Sequence, residues 1–142
     1  MIRSRPVLVD TGAWLAAFHR RDQYHAHAAA ELRRLREARA TLVVTDLILA
    51  ETHLHLLHAL GPARAAAYLG TLKADPAIEE VHTTASVQRS AMGDWIRRFS
   101  DQPFTLTDAV SFAVMTDRRI DSAFTFDSHF TVAGFRVLPD RS

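Results

Sequence analysis

The 142-residue chain contains no cysteine, which excludes disulfides and every metal site built on thiolates. It has no run of ~18 apolar residues, so no membrane span is expected. Lysine is almost missing: Lys73 is the only one, and arginine carries the rest of the basic charge. Glycine and proline number five each, scattered along the chain, and no stretch reads as a flexible linker, a repeat or a low-complexity tract. The net charge of +1 gives no overall field that would draw in nucleic acid. The basic start "MIRSRPVLVDTG" carries an apolar run too short for a secretory signal. What remains is an ordinary globular composition, 48% apolar and 23% charged, long enough for one domain with a real core. Residues 1–142 are expected to form that single domain, and a cysteine-free chain suits a reducing cytoplasm.

Short β-branched runs alternate with longer helical stretches. "PVLV", "TLVVT", "AIEEVH", "SAFTF" and "FRVL" read as strands. "AWLAAF", "YHAHAAAELRRLREA", "LILAETHLHLLHAL", "ARAAAYLGTLK", "TASVQRSAMGDWIRRF" and "TDAVSFAVMTDRR" read as helices. In the second of these, Tyr24, Ala28, Leu32 and Leu35 share a face; in the fifth, Val87, Ala91 and Trp95 recur every four residues. Thr45 or Asp46 caps the third and Gly61-Pro62 ends it, while Thr105 or Thr107 caps the last. Such alternation predicts an α/β fold, with a mostly parallel sheet covered by helices on both faces.

Two chemistries begin with a stretch such as "VLVDTGAW". One is an aspartic protease with its Asp-Thr-Gly turn, but that fold is all-β and this chain is mostly helical. A haloacid-dehalogenase phosphatase needs a second Asp two positions on, where Gly12 stands. The other is a metal enzyme whose first carboxylate ends a central strand. In open α/β sheets ligands bind beyond the carboxyl ends of the strands; Asp10 follows the first strand and Asp127 the fourth. Asp108 lies in the first turn of the most apolar helix, and Glu51 sits among leucines on the third. Each has a bland reading: Asp10 as a helix cap, Asp108 favoured by the helix dipole, Asp127 in a turn, Glu51 solvated. Gathered at one rim, however, four carboxylates repel one another unless a cation lies between them. Mg²⁺ or Mn²⁺ suits an all-oxygen set and would activate water against a phosphodiester. Thr11, Thr107 and Thr125, beside the acids, could orient them or their waters.

Four segments together, "VLVDTGAWLAAF", "LVVTDLILAETHLHLL", "FTLTDAVSFAVM" and "AFTFDSHFTVAGFRVL", resemble the four acidic motifs of the PIN domain, in order and in approximate spacing. The likeness spans essentially the whole chain, and its short length resembles the VapC type, the ribonuclease toxins of toxin–antitoxin pairs. The resemblance implies a three-layer α/β/α sandwich around a five-stranded parallel sheet. It implies a Mg²⁺- or Mn²⁺-dependent endoribonuclease with Asp10, Glu51, Asp108 and Asp127 as catalytic and metal-binding acids. Thr11 and Thr107 match the small hydroxyl positions beside them. It also implies an RNA substrate, tRNA or rRNA, a homodimer, and a cognate antitoxin that covers the site. Many relatives carry another acid after the fourth motif; here Ser128 and His129 stand instead, leaving the number of ions open.

Other constellations compete. Glu51, His55 and His58 share a helical face and could bind zinc, though half-buried histidines are commoner. "ELRRLREAR" could grip RNA, but a solvated helix face is the simpler reading. Trp14 and Trp95 could stack bases, yet both sit at helical spacing among apolar neighbours. Asp46 is expected to serve the helix start. A non-catalytic PIN-like RNA-binding or scaffold module is the alternative to the enzyme; loss of one or more acids would mark it, and all four are present.

Overall fold

The computed structural model describes residues 4–140; the outermost residues of the expected 1–142 domain lie outside them. The buried run Val7-Leu8-Val9 belongs to β1 (Ser4–Val9), and its register with two neighbours makes it the centre of the sheet. Val7 pairs with Leu42 and Leu8 with Val43 of β2 (Ala40–Thr45). On the other side Leu8 pairs with Ala123 and Val9 with Phe124 of β4 (Ser122–Phe124). β3 (Ile78–Val81) flanks β2, and β5 (Arg136–Leu138) flanks β4. All pairs are parallel, in the order β3-β2-β1-β4-β5. The fully buried apolar character of β1 and β2 follows, because a parallel sheet is covered on both faces.

The chain steps from β1 outward to β2 and β3, then crosses back past β1 to β4 and β5. Right-handed crossovers therefore put the first helices on one face and the later ones on the other. The first group is α1 (Thr11–Phe18), α2 (His25–Glu37), α3 (Asp46–Leu60) and α4 (Pro62–Ala74). It is joined by the stack Trp14–Phe18–Tyr68. The second group is α5 (Ala85–Ser90), α6 (Leu106–Arg118) and the short α7 (His129–Val132). There Phe112 meets Trp95, Phe104, Phe130 and Phe135. Trp14 is 1% exposed and Trp95 lies in this aromatic cluster, so both tryptophans serve packing. Among the described residues no helix is long and apolar enough to cross a membrane.

Local chemistry explains most boundaries. Thr45 caps α3 by accepting from the Ile48 N–H, and Thr84 caps α5 in the same way. Asp46 does not provide the cap: its carboxylate accepts from the Leu47 N–H and from both the N–H and hydroxyl of Thr83, tying the start of α3 to the loop after β3. The expected single helix over "TASVQRSAMGDWIRRF" is a short α-helix running into a π-helical segment, Ala91–Arg97. The wider turn re-phases the aromatic side of the segment, so that Trp95 stacks on Phe99 and also reaches Phe112.

On α2 the buried stripe includes an acid. Glu31 is 6% exposed beside Ala28 and Leu35. It is held by Arg34, with Nε to Oε2 at 2.9 Å and Nη2 to Oε1 at 2.6 Å. Arg36 pairs with Asp75, so two exposed arginines of the "ELRRLREAR" helix are tied to acids of the fold. Arg34→Ala is expected to cost about 1–2 kcal/mol, because it leaves a buried carboxylate without its partner. Glu31→Met combined with Arg34→Leu should remain near the parent. Urea midpoints at unchanged slope measure both.

Candidate functional site

The register of the two central strands builds the site. Because Val9 faces Phe124, the next residues, Asp10 and Thr125, emerge side by side at the carboxyl rim. The Thr125 hydroxyl donates to Asp10 Oδ2 at 3.0 Å and accepts from the Asp127 N–H at 3.0 Å. Asp10 does occupy the position before α1, with its carbonyl accepting from Ala13 and Trp14. Its side chain makes no capping bond, so the carboxylate is free of the duty that a bland reading assigns it. This rim is also the topological switch point, where connections diverge to opposite faces and leave a crevice.

Asp108 enters from α6, where it does close the helix start. Thr105 Oγ1 accepts from the Asp108 N–H and Asp108 Oδ2 accepts from the Thr105 N–H, each at 3.1 Å. The same Oδ2 lies 3.0 Å from His129 Nδ1. Among the described residues nothing donates to Asp108 Oδ1, which leaves one oxygen for another ligand. Asp127 accepts the His129 N–H on Oδ1 at 2.9 Å, and His129 Nδ1 is 3.5 Å from that oxygen. Ligand atoms of Asp108, Asp127 and His129 all lie within 4.8 Å of one another.

Asp10, Glu51, Asp108, Asp127 and His129 line one cleft of about 410 Å³, together with Thr11, Thr105 and His55. The segment after α1 closes it with Asp22, Gln23 and Tyr24, the last stacked on Phe126 at 4.5 Å. Among the described residues no lysine or arginine lines it. Burial, together with the charges of Asp108 and Asp127, pushes the Asp10 carboxyl up to about 7, against the lowering effect of bonds from the Thr11 backbone and the Thr125 hydroxyl. Thr11 Oγ1 is buried in the same wall without a hydrogen-bond partner. An oxygen-rich donor set, an orphaned hydroxyl and an acid that burial discharges are what a hard divalent cation would satisfy.

All four expected acids therefore line one cleft, where Asp108 and Asp127 come together with His129. Thr11 lines it too. Thr107 does not; the neighbouring Thr105 takes that place, because the capping box turns position 105 toward the acid it braces. Glu51 and His55 share the cleft but His58 lies outside its lining, so the three-residue zinc face is not assembled there. His129 is the residue that spacing alone did not single out. Its signal is the Asp-x-His step after a strand, in which the Asp127 side chain turns the backbone back onto itself.

The PIN domain family model matches residues 7–136. The 23S rRNA-specific endonuclease VapC20 of Mycobacterium tuberculosis, strains CDC 1551 / Oshkosh and ATCC 25618 / H37Rv, is 32% identical over 136 residues, spanning 94% of this chain and 99% of the relative. The crystal structure of M. tuberculosis VapC20, described as a sarcin-ricin loop cleaving toxin, superposes with a TM-score of 0.79 at 29% identity, covering 91% of this chain and 95% of that one.

A carboxyl raised to about 7 holds its proton in the folded state where the unfolded chain, near pH 4, has lost it. Stability of the metal-free protein should therefore fall as pH rises from about 4 to about 7, then level off. Asp10→Asn removes this loss: its melting temperature in EDTA should exceed the parent's at pH 8, with the gap closing toward pH 4. A constant gap across that range would mean that Asp10 is not the group responsible.

Proposed function

The chain belongs to the PIN domain family, and on that footing we propose that it is a divalent-metal-dependent endoribonuclease, the toxin of a toxin–antitoxin pair acting on RNA in the cytoplasm. The observation that carries this reading is the gathering of Asp10, Glu51, Asp108 and Asp127 in one cleft that, among the described residues, no lysine or arginine lines. Asp10, Asp108 and Asp127 would hold the ion, with Glu51 facing them from α3. Bound there, Mg²⁺ or Mn²⁺ supplies water activation and charge neutralisation at a phosphodiester.

The chain's own groups do the positioning. Thr125 fixes the rotamer of Asp10, and the Thr105 backbone fixes Asp108. The His129 N–H orients Asp127, while its ring faces both acids. Such supporting bonds set ligand direction and basicity. An imidazole nitrogen among the carboxylates favours Mn²⁺ over Mg²⁺, since nitrogen donors suit transition metals better. On the RNA side, Gln23 and His55 offer polar contacts at the mouth of the cleft, beside the stacked Tyr24 and Phe126.

The relative's specificity makes rRNA, rather than tRNA, the first substrate to test, with the 23S sarcin–ricin loop as its narrowest form. A cognate antitoxin would silence the enzyme by covering this acidic cleft with a basic side chain, and two chains are proposed to pair as a homodimer.

Ribosomal RNA incubated with the protein should be cut in Mg²⁺ or Mn²⁺ and left intact in EDTA. Asp10→Asn and Asp108→Asn should abolish cutting without unfolding, and Thr125→Val should slow it about 10- to 100-fold. Folded parent protein that neither cuts rRNA nor binds Mn²⁺ would leave a scaffold role in place of the nuclease. His129→Asn is expected to weaken Mn²⁺ binding by calorimetry about tenfold and Mg²⁺ binding less; equal losses would remove the ring from the ligand set.

A further inference from the structure

An acidic cleft repels the polyanion it is proposed to cut, so affinity for RNA has to come from elsewhere on the surface. One turn beyond the cleft lies a second concavity, of about 260 Å³, lined by His19, Arg20, Arg21, Ala59, Leu60 and Arg64. It carries three arginines and a histidine and, among the described residues, no acid. Arg5, Arg34, Arg36, Arg118 and Lys73 pair with carboxylates. Arg20, Arg21 and Arg64 are exposed and make no ion pair among the described residues.

Two helices lead from one concavity to the other. On α3, His55 lines the cleft and Ala59, four residues on, lines the basic pocket. On α1, Leu15 lines the cleft and His19, which ends the helix with its N–H on the Leu15 carbonyl, lines the pocket. Each step advances about 6 Å along its axis. The segment 19–24 links them a third time, giving His19, Arg20 and Arg21 to the pocket and Asp22, Gln23 and Tyr24 to the cleft.

We propose that this basic pocket is a phosphate subsite, which grips the backbone of single-stranded RNA one or two nucleotides from the bond placed in the cleft. The inference rests on the ribonuclease reading. Guanidinium groups match phosphate oxygens in pairs and keep their charge at any working pH. Bonds to phosphate fix where the strand lies without reading its sequence. The pocket would thus set the register of the strand, leaving the choice of bond to the cleft.

The test is fluorescence anisotropy on Asp10→Asn protein, which leaves RNA uncut, using a labelled single-stranded RNA of about twelve nucleotides and a dinucleoside monophosphate of the same sequence core. Replacing Arg20, Arg21 and Arg64 with alanine should weaken the longer RNA at least about tenfold and reduce its salt slope by about 0.7 for each phosphate no longer neutralised. The dinucleoside monophosphate, whose single phosphate cannot occupy both concavities, should bind the two proteins alike. Ala59→Glu, which puts a carboxylate in the pocket wall, should reproduce the loss, and Arg64→Lys, which keeps the charge without the paired donors, should lose less than Arg64→Ala; circular dichroism melts check that each variant folds. Unchanged affinity for the longer RNA overturns the subsite, while metal-dependent cutting by the parent still upholds the nuclease. A parent that neither binds nor cuts RNA brings down the nuclease and the subsite together. Weakened affinity for a cognate antitoxin, with RNA binding intact, would make the pocket a protein-docking surface and equally overturn the proposal.

Discussion

Asp10 stands at the end of the central strand, 6% exposed, and among the described residues no lysine or arginine lines its cleft. Removing a carboxylate from water without a cation beside it raises the free energy of its charged form. Placing two more carboxylates nearby raises it further. The fold meets this cost with strand pairing, which needs no charge of its own. β1 and β4 are locked in register by backbone bonds and by the apolar side chains of Val9 and Phe124. The acids are held where the core puts them, in the arrangement a divalent ion would relieve.

The topology divides the labour around that point. Helices α1 to α4 cover one face and carry Glu51, His55 and the segment with Gln23 and Tyr24. The later elements bring Asp108 on α6 and His129 at the start of α7. Each side thus contributes separately to a cleft that neither could enclose. The aromatic cluster about Phe112 anchors α6 on its side, so Asp108 inherits the rigidity of a well-packed helix.

Much of this was readable from the residues, because strands ending in Asp and caps such as Thr45 are local signals. Apolar runs of β1 and β2, and the alternation of strands with helices, carry the layer architecture without any long-range information. Other features depend on tertiary neighbours that spacing does not encode. Glu31 looks like a solvent-facing acid until Arg34 is seen to chelate it within the buried stripe. The π-helical turn at Ala91–Arg97 answers to the shape of the aromatic cluster, and a four-residue period cannot foresee it. Thr107 matches a family position, but the reciprocal cap at Thr105 decides which hydroxyl residue faces the cleft. Asp46 reads as a cap, although its carboxylate is spent on a loop 37 positions away.

Thr125 has one hydroxyl proton, and that proton is committed to Asp10 while the oxygen receives the Asp127 N–H. In mechanical terms it is a strut between two acids that are distant in the chain and share one support in space. The outer strand is coupled to the same point, since the Thr125 N–H is bound to the Leu138 carbonyl of β5. The outer edge of the sheet and both acids thus meet at one residue, and both are tied to that edge through a single side chain.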